Sequence, residues 1–297
     1  MAANYIFSGQ GSHRPGMSFN LYNNNSLAKK RIELSNDFLN FKLSEIMFSE
    51  NEEILRKTKY AQLAIYVHST IIYDLIKDKY SPISFAGHSL GEFSALYASG
   101  CYDFLTGLKI VNIRASAMDL CEKENPGKMC AVLGINQNLL EEFCDKFNCQ
   151  IANVNSDNQI VVSGHERNIE KLTVHLKNNR IKVIPLKVSG AFHSKLMSNA
   201  KVKLKEVILS SKFNDSKYPV FSNFDAKSKT SANEIKDSLI EQIDNTVLWN
   251  DSIKSMINLN NKFIEIGPQI VLSNILKKID DSLVIKNYTC YNNIKND

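Results

Sequence analysis

At 297 residues, with 43% apolar and 23% charged side chains, the chain has the size and composition of a soluble globular protein of one large or two modest domains. Its net charge of +5 is mild and spread along the chain, so no concentrated basic arm is present and nucleic-acid binding is not expected, although a modestly basic surface favours an acidic partner. The opening "MAANYIFSGQGS" lacks the form of a signal peptide, and no apolar run approaches the roughly 20 residues that span a bilayer, so a cytoplasmic protein with no membrane association is expected. The six cysteines (Cys101, Cys121, Cys130, Cys144, Cys149, Cys290) form no CxxC pair, which argues for reduced thiols and against a disulfide framework or zinc site.

In chain order, "NYIFSG" reads as a buried strand running into a glycine-rich turn, and "AQLAIYVHSTIIYDLIKD" as a buried helix. "PISFAG" is a second strand, ending at the glycine two residues before Ser89, and "GEFSALYAS" opens a helix stopped by Gly100. This alternation predicts an α/β layer with a mostly parallel sheet. The middle changes character. "MCAVLGI" (129–135) reads as a strand, "NQNLLEEFCDKF" (136–147) as a helix, and "CQIANVN" and "QIVVSG" as strands about the turn "SDN". The helix "ERNIEKLTVHLKNN" and the strand "KVIPLKVS" follow. The order βαββαβ over about 60 residues is the ferredoxin-like pattern, inserted into the larger α/β unit. The expected division is 1–127 with 191–297 for the large unit and 128–190 for the small one. After Gly190 come further helices and strands, including "KFIEIGP", and the polar tail "NNIKND" is expected to fray.

Gly87-His88-Ser89-Leu90-Gly91 fits G-x-S-x-G in the required setting, a strand before and a helix after. A serine on such a turn projects its hydroxyl from the backbone, and the Leu90 N–H at the helix start is placed to stabilise an oxyanion. The plainer alternative is a strand–turn–helix junction with a capping serine. A nucleophilic serine needs a base. His68 lies in an apolar helix and reads as a satisfied core residue; His165 and His175 read as surface positions; His88 diverges from Ser89 and suits orientation or packing. His193, in "VSGAFHSKLM", and His13 remain as candidates. Arg114 lies in "GLKIVNIRASAMDL", where its neighbours at i−4, i−3, i+3 and i+4 are Ile110, Val111, Ala117 and Met118. A guanidinium on a buried face needs an anionic partner, either an internal carboxylate or a substrate carboxylate, unless it snorkels to solvent. Gly9-Gln10-Gly11-Ser12 lacks the spacing of a phosphate loop; it is either a tight turn or a second oxyanion donor through the Gln10 N–H.

Together these stretches resemble the malonyl-CoA:acyl-carrier-protein transacylase family, including acyltransferases that serve polyketide synthases. Seven segments match in order: "FSGQGSHRPGM", "AGHSLGEFSAL", "RASAM", "ANVNSDNQIVVSG", "GAFHS", "EQIDNTVLW" and "EIGP". The resemblance implies an α/β-hydrolase-like core with an inserted ferredoxin-like subdomain. It implies that Ser89 is acylated, that His193 is base and then acid, and that Gln10 and Leu90 form the oxyanion hole. Arg114 would grip the malonyl carboxylate, and a carbonyl at Gln242 would orient His193 in place of a triad carboxylate. Phe192 would crowd an α-methyl group, a preference that one methyl makes worth about 1–3 kcal/mol. Met118, Asn155 and His88 complete the expected substrate-binding set. No cofactor or metal is implied: malonyl-CoA is the donor, a holo acyl carrier protein the acceptor, and a monomer is expected. The product would serve fatty-acid or polyketide synthesis. Two rivals are an editing hydrolase of the same fold and an idle module that docks carrier proteins. His13, Ala115 and Leu63 depart from the family's usual glutamine, glycine and proline, and His13 would lie near the entrance.

Overall fold

The computed structural model describes residues 2–188 and 190–296. Its strands are β1 (Ala2–Phe7), β2 (Ser81–Gly87), β3 (Gly127–Leu133), β4 (Gln150–Ser156), β5 (Gln159–His165), β6 (Lys182–Pro185), β7 (Val220–Phe221), β8 (Ser228–Lys229), β9 (Lys262–Ile266) and β10 (Val284–Tyr288). Six of them form a sheet in the order β10-β9-β1-β2-β7-β8, parallel throughout except for the edge pair β7–β8. A parallel sheet is covered by helices on its faces, which is why β1 is apolar almost without alternation. The Thr58–Ile76 helix is buried along most of its length, and its apolar residues wrap the whole circumference. Tyr73 on this helix packs edge-on against Tyr5 of β1 and Phe85 of β2. Leu63 and Ala115, the two departures inside helices, are both fully buried and packed.

The remaining four strands form an antiparallel sheet in the order β4-β5-β3-β6, the ferredoxin-like arrangement. Its two faces have separate duties, set by the period of two along a strand. Cys130 and Val132 of β3, with Ile160 and Val162 of β5, face the Gln137–Phe147 and Glu166–Asn178 helices and close a small core of their own. Met129, Ala131 and Val161 point the other way and join the core of the large sheet. The small sheet is also stitched to the rest of the chain. Val247 N–H donates to the Ala152 carbonyl (2.8 Å), Val154 N–H donates to the Val247 carbonyl (2.9 Å), and Thr246 Oγ1 donates to the Ile151 carbonyl (2.7 Å).

Three local expectations are corrected. The strand expected over "KVIPLKVS" ends at Pro185: proline has no N–H to continue a ladder, although Leu186 N–H still reaches the Met129 carbonyl (3.0 Å). Ser189 lies outside the described residues. Within the polar tail the described residues include a short helix, Tyr291–Lys295, tied back to the preceding chain where Asn293 Oδ1 accepts from the N–H and Oγ1 of Thr289; Asp297 lies outside the described residues. His175 is not a plain surface residue: its ring packs against Phe143 (4.8 Å) and Phe147 (5.1 Å). His68 is buried, with Nδ1 bonded to Ser18 Oγ (2.8 Å). All six cysteines are free thiols.

Candidate active site

The site lies at the carboxyl ends of β1 and β2, where ligands of open parallel sheets bind. The two strands are in register with Phe7 opposite Gly87. The turn after β1 (Gly9, Gln10) therefore lies beside the turn after β2 (His88, Ser89, Leu90). Gly87 and Gly91 make the second turn sharp. A Cβ on Gly91 would overlap the Phe7 carbonyl, and one on Gly87 would overlap Gly91 itself. Ser89 sits in the left-handed region at φ 52°, a conformation that non-glycine residues adopt at a cost, and the Gly91–Ala98 helix begins two residues later. The Leu90 and Gln10 backbone N–H groups are not hydrogen-bonded to any other described residue. Gln10 is held by its side chain, which donates from Nε2 to Thr58 Oγ1 (3.1 Å).

His193 Nε2 lies 2.8 Å from Ser89 Oγ. Its other nitrogen, Nδ1, is 2.9 Å from the Gln242 backbone carbonyl. A carbonyl only accepts, so Nδ1 carries the proton and Nε2 is left as the base facing the serine. Burial, with the charge of Arg114 second, pushes the His193 pKa down to about 3, so the imidazole is neutral at physiological pH. No carboxylate is hydrogen-bonded to His193 among the described residues.

Arg114 is 1% exposed, so it does not snorkel. Its Nη1 donates to Gln62 Oε1 (2.6 Å), and its Nη2 donates to Gln242 Oε1 (3.1 Å) and Ser89 Oγ (3.0 Å). The guanidinium carbon lies 5.1 Å from the centre of the Phe93 ring. Among the described residues Arg114 forms no ion pair, so the internal salt bridge considered above is not formed. Burial lowers its pKa to about 9, opposed by Glu92, and it remains cationic at neutral pH. A buried cation with only neutral hydrogen-bond partners, in contact with a serine hydroxyl, can receive an anionic group brought in by a ligand.

Above Ser89 is a cavity of about 260 Å³, lined by Gln10, His88, Ser89, Met118, Asn155, Phe192 and His193 of the expected set. The small sheet contributes Met129, Ala131 and Val161 to its wall. Met118 Sδ accepts from Gln62 Nε2 (3.3 Å). His88 Nε2 lies 2.9 Å from Asn155 Oδ1, and its ring meets Trp249 edge-on at 5.4 Å, so it orients and packs. Leu90, Arg114 and Gln242 lie beneath this surface. His13, the other candidate base, is outside the cavity. It lines an adjoining cleft of about 620 Å³ that shares Gln10 with the Ser89 cavity, and its neighbours there include Arg56, Lys57 and Lys187. The described residues hold no cluster of three or more His, Cys, Asp or Glu side chains placed to bind a metal ion.

Three polar residues beneath the site were not singled out from sequence: Gln62, Glu92 and Asn223. Gln62 and Glu92 sit inside the quoted stretches "AQLAIYVHSTIIYDLIKD" and "AGHSLGEFSAL", and a polar residue on an otherwise buried helix is the signal that marks them. Asn223, in "FSNFDA", carries no local signal, because its partners are far away in the chain.

Chemistry of this kind belongs to enzymes that pass an acyl group through a serine, whether to another acceptor or to water. The chain belongs to the acyl transferase domain family, whose model matches residues 4–296. It is 38% identical over 287 residues to the malonyl CoA-acyl carrier protein transacylase of Bacillus subtilis, covering 94% of this chain and 90% of that protein. It is 34% identical over 293 residues to the Synechocystis protein of the same name, covering 97% of each. Among solved structures, the Synechocystis malonyl-CoA: ACP transacylase superposes with a TM-score of 0.91 at 32% identity over the whole of both chains. A malonyl-transacylase solved in complex with a type II PKS acyl-carrier protein superposes with a TM-score of 0.94 at 28% identity, covering 99% of this chain and 98% of that one. No helix among the described residues is long and apolar enough to cross a membrane.

Proposed function

We propose that this acyltransferase moves a malonyl group from malonyl-CoA to the phosphopantetheine thiol of an acyl carrier protein, through a malonyl-Ser89 intermediate. In the first half-reaction Ser89 Oγ attacks the thioester carbonyl while His193 Nε2 takes its proton. The Gln10 and Leu90 N–H groups receive the negative charge that develops on the carbonyl oxygen. His193 then protonates the departing CoA thiolate. In the second half-reaction the carrier thiol gives its proton to His193 and attacks the ester, and Ser89 recovers its proton as it leaves. The chemistry is complete with donor and acceptor and calls on no further cofactor.

The observation that carries the malonyl assignment is Arg114, a buried cation 3.0 Å from Ser89 Oγ with no carboxylate partner. A malonyl chain attached to Ser89 presents a carboxylate two carbons beyond the reacting carbonyl, within reach of the guanidinium. A site for neutral acyl chains gains nothing from this charge. Phe192, 6% exposed on the cavity wall, is the residue that would crowd an α-methyl group in this reading. Met118, Asn155 and His88 shape the remainder of the acyl pocket. The division into 1–127 with 191–297 and 128–190 belongs to this proposal, supported by the separate cores of the two sheets. So do a monomeric, cytoplasmic enzyme without nucleic-acid partners and service in fatty-acid or polyketide synthesis.

Intact-mass analysis with malonyl-CoA, with and without a holo carrier protein, tests the reaction. The expected result is a malonyl adduct that persists on the protein alone and transfers to the carrier. Release of malonate with neither an adduct nor a loaded carrier would instead identify a hydrolase.

A further inference from the structure

Glu92 is 2% exposed in the first turn of the helix that follows Ser89, and the reaction as written does not use it. Its Oε2 accepts two donors from distant parts of the chain, the Asn223 backbone N–H (3.2 Å) and Gln242 Nε2 (2.8 Å). Each of these residues holds one half of the catalytic pair. Asn223 Oδ1 accepts the Ser89 N–H (2.7 Å), and its Nδ2 donates to the Gly87 carbonyl (2.8 Å). The amide thus clamps the residues on either side of His88 and braces the left-handed turn at Ser89. Gln242 donates from Nε2 to the Ser89 carbonyl (2.8 Å), accepts from Arg114 at Oε1, and accepts from His193 Nδ1 at its backbone oxygen (2.9 Å).

We propose that Glu92 is a positioning residue of the acyl-transfer centre: its carboxylate ties together Asn223, which sets the Ser89 turn, and Gln242, which sets the His193 ring. The elbow, the loop after β7 and the 242–244 turn come from three separate stretches of chain, and this carboxylate receives hydrogen bonds from the latter two while belonging to the first. Gln242 also stands between Glu92 and Arg114, so the guanidinium feels a countercharge without being captured by it. Burial raises the Glu92 carboxyl to about 7, and the Gln242 and Asn223 hydrogen bonds and Arg114 oppose that rise. An acid held under such cost beneath a nucleophile, with its bonds directed at the two residues that orient Ser89 and His193, is arranged for geometry at the site.

The proposal rests on Ser89 being the nucleophile, and its test uses a fluorophosphonate, which needs neither malonyl-CoA nor a carrier. Ser89 Oγ bonds to phosphorus, fluoride leaves, and His193 takes the proton. The expected result for Glu92→Gln is a labelling rate constant lowered about tenfold or more with the half-saturating probe concentration unchanged, and partial recovery in Glu92→Asp. Asn223→Ala is expected to slow labelling similarly, and the double variant Glu92→Gln/Asn223→Ala to be no slower than the worse single one. Wild-type labelling in Glu92→Gln, or single effects that multiply in the double variant, overturns the proposal. Should Glu92→Gln lack a cooperative thermal transition, Asn223→Ala decides, since it keeps the carboxylate and removes the brace on Ser89; an unchanged rate there also overturns it. Slowed labelling in Glu92→Gln and Asn223→Ala alongside absent malonyl transfer in the wild type would overturn the transferase reading and keep this one, whereas normal labelling in both variants alongside intact malonyl transfer in the wild type would do the reverse.

Discussion

At the scale of single residues, the site works by setting charge where the reaction requires it. His193 is neutral because water is excluded from it and because a cation lies nearby, and its free nitrogen faces Ser89 because Gln242 offers only an acceptor to the other. A base held at about 3 in the fold binds its proton only well below the ordinary imidazole value of 6.5. The acid limb of kcat/KM for malonyl loading is therefore expected well below pH 6; a limb at 6.5 in stopped-flow acylation would contradict the burial argument. Arg114→Ala removes the cation proposed to receive the substrate carboxylate. One charge-assisted contact is worth roughly 1.5–3 kcal/mol, so malonyl kcat/KM should fall by about tenfold to a hundredfold while acetyl loading is spared. Competition between malonyl-CoA and acetyl-CoA, read by intact mass, checks the ratio. Both expectations concern residues visible from sequence, Arg114 by its buried helix face and His193 by its loop motif. Glu92 was less visible because one acidic residue in a first helical turn is ordinary.

At the scale of elements, the decisive feature is the packing of the elbow against β1. The Gly91 backbone lies against the Phe7 carbonyl, and His88 N–H donates to that same carbonyl (3.0 Å). This closeness brings the Gln10 and Leu90 N–H groups to one place. Gly91→Ala puts a methyl group where the Phe7 carbonyl stands, and neither backbone can yield without breaking the β1–β2 register. Overpacking of this kind costs about 1–3 kcal/mol, so the urea midpoint should drop and Ser89 labelling should fall with it. Unchanged stability and labelling would mean the elbow has slack that the geometry does not show. The two helices of the small unit were legible for a different reason: Leu140 and Cys144 recur on one face of the first, and Ile169, Leu172 and Leu176 on one face of the second. β6 was read too long because apolar residues continue past Pro185 in the sequence, while the ladder depends on backbone N–H groups that pattern alone does not weigh.

At the scale of the molecule, the cavity is closed by two sheets from different parts of the chain, and the seam between them runs through residues 246–247. That seam follows Gln242 directly, so the segment that orients His193 also anchors the small sheet. Val247→Pro removes the hydrogen bond to the Ala152 carbonyl, a loss of about 0.5–1.5 kcal/mol or more once strain is added. Amide exchange at Ala152–Val154 should accelerate and malonyl turnover should fall; unaltered exchange at β4 would show that the seam does not hold the sheet. The amino-acid sequence by itself determined the alternation of helix and strand, the glycine-flanked elbow and the ferredoxin-like insertion, because each is written in local periodicity, local sterics or a contiguous motif; it left His13 beside His193 as a candidate base, and the family resemblance singled out Ser89, His193 and Arg114. Tertiary structure alone decided that His13 lies outside the Ser89 cavity, that Arg114 has no counter-ion in contact among the described residues, and that Asn223, Gln242 and Glu92 meet beneath Ser89. Hydrogen bonds between residues more than a hundred positions apart leave no periodic trace, and whether a buried charge finds a partner is settled only when the chain has closed around it.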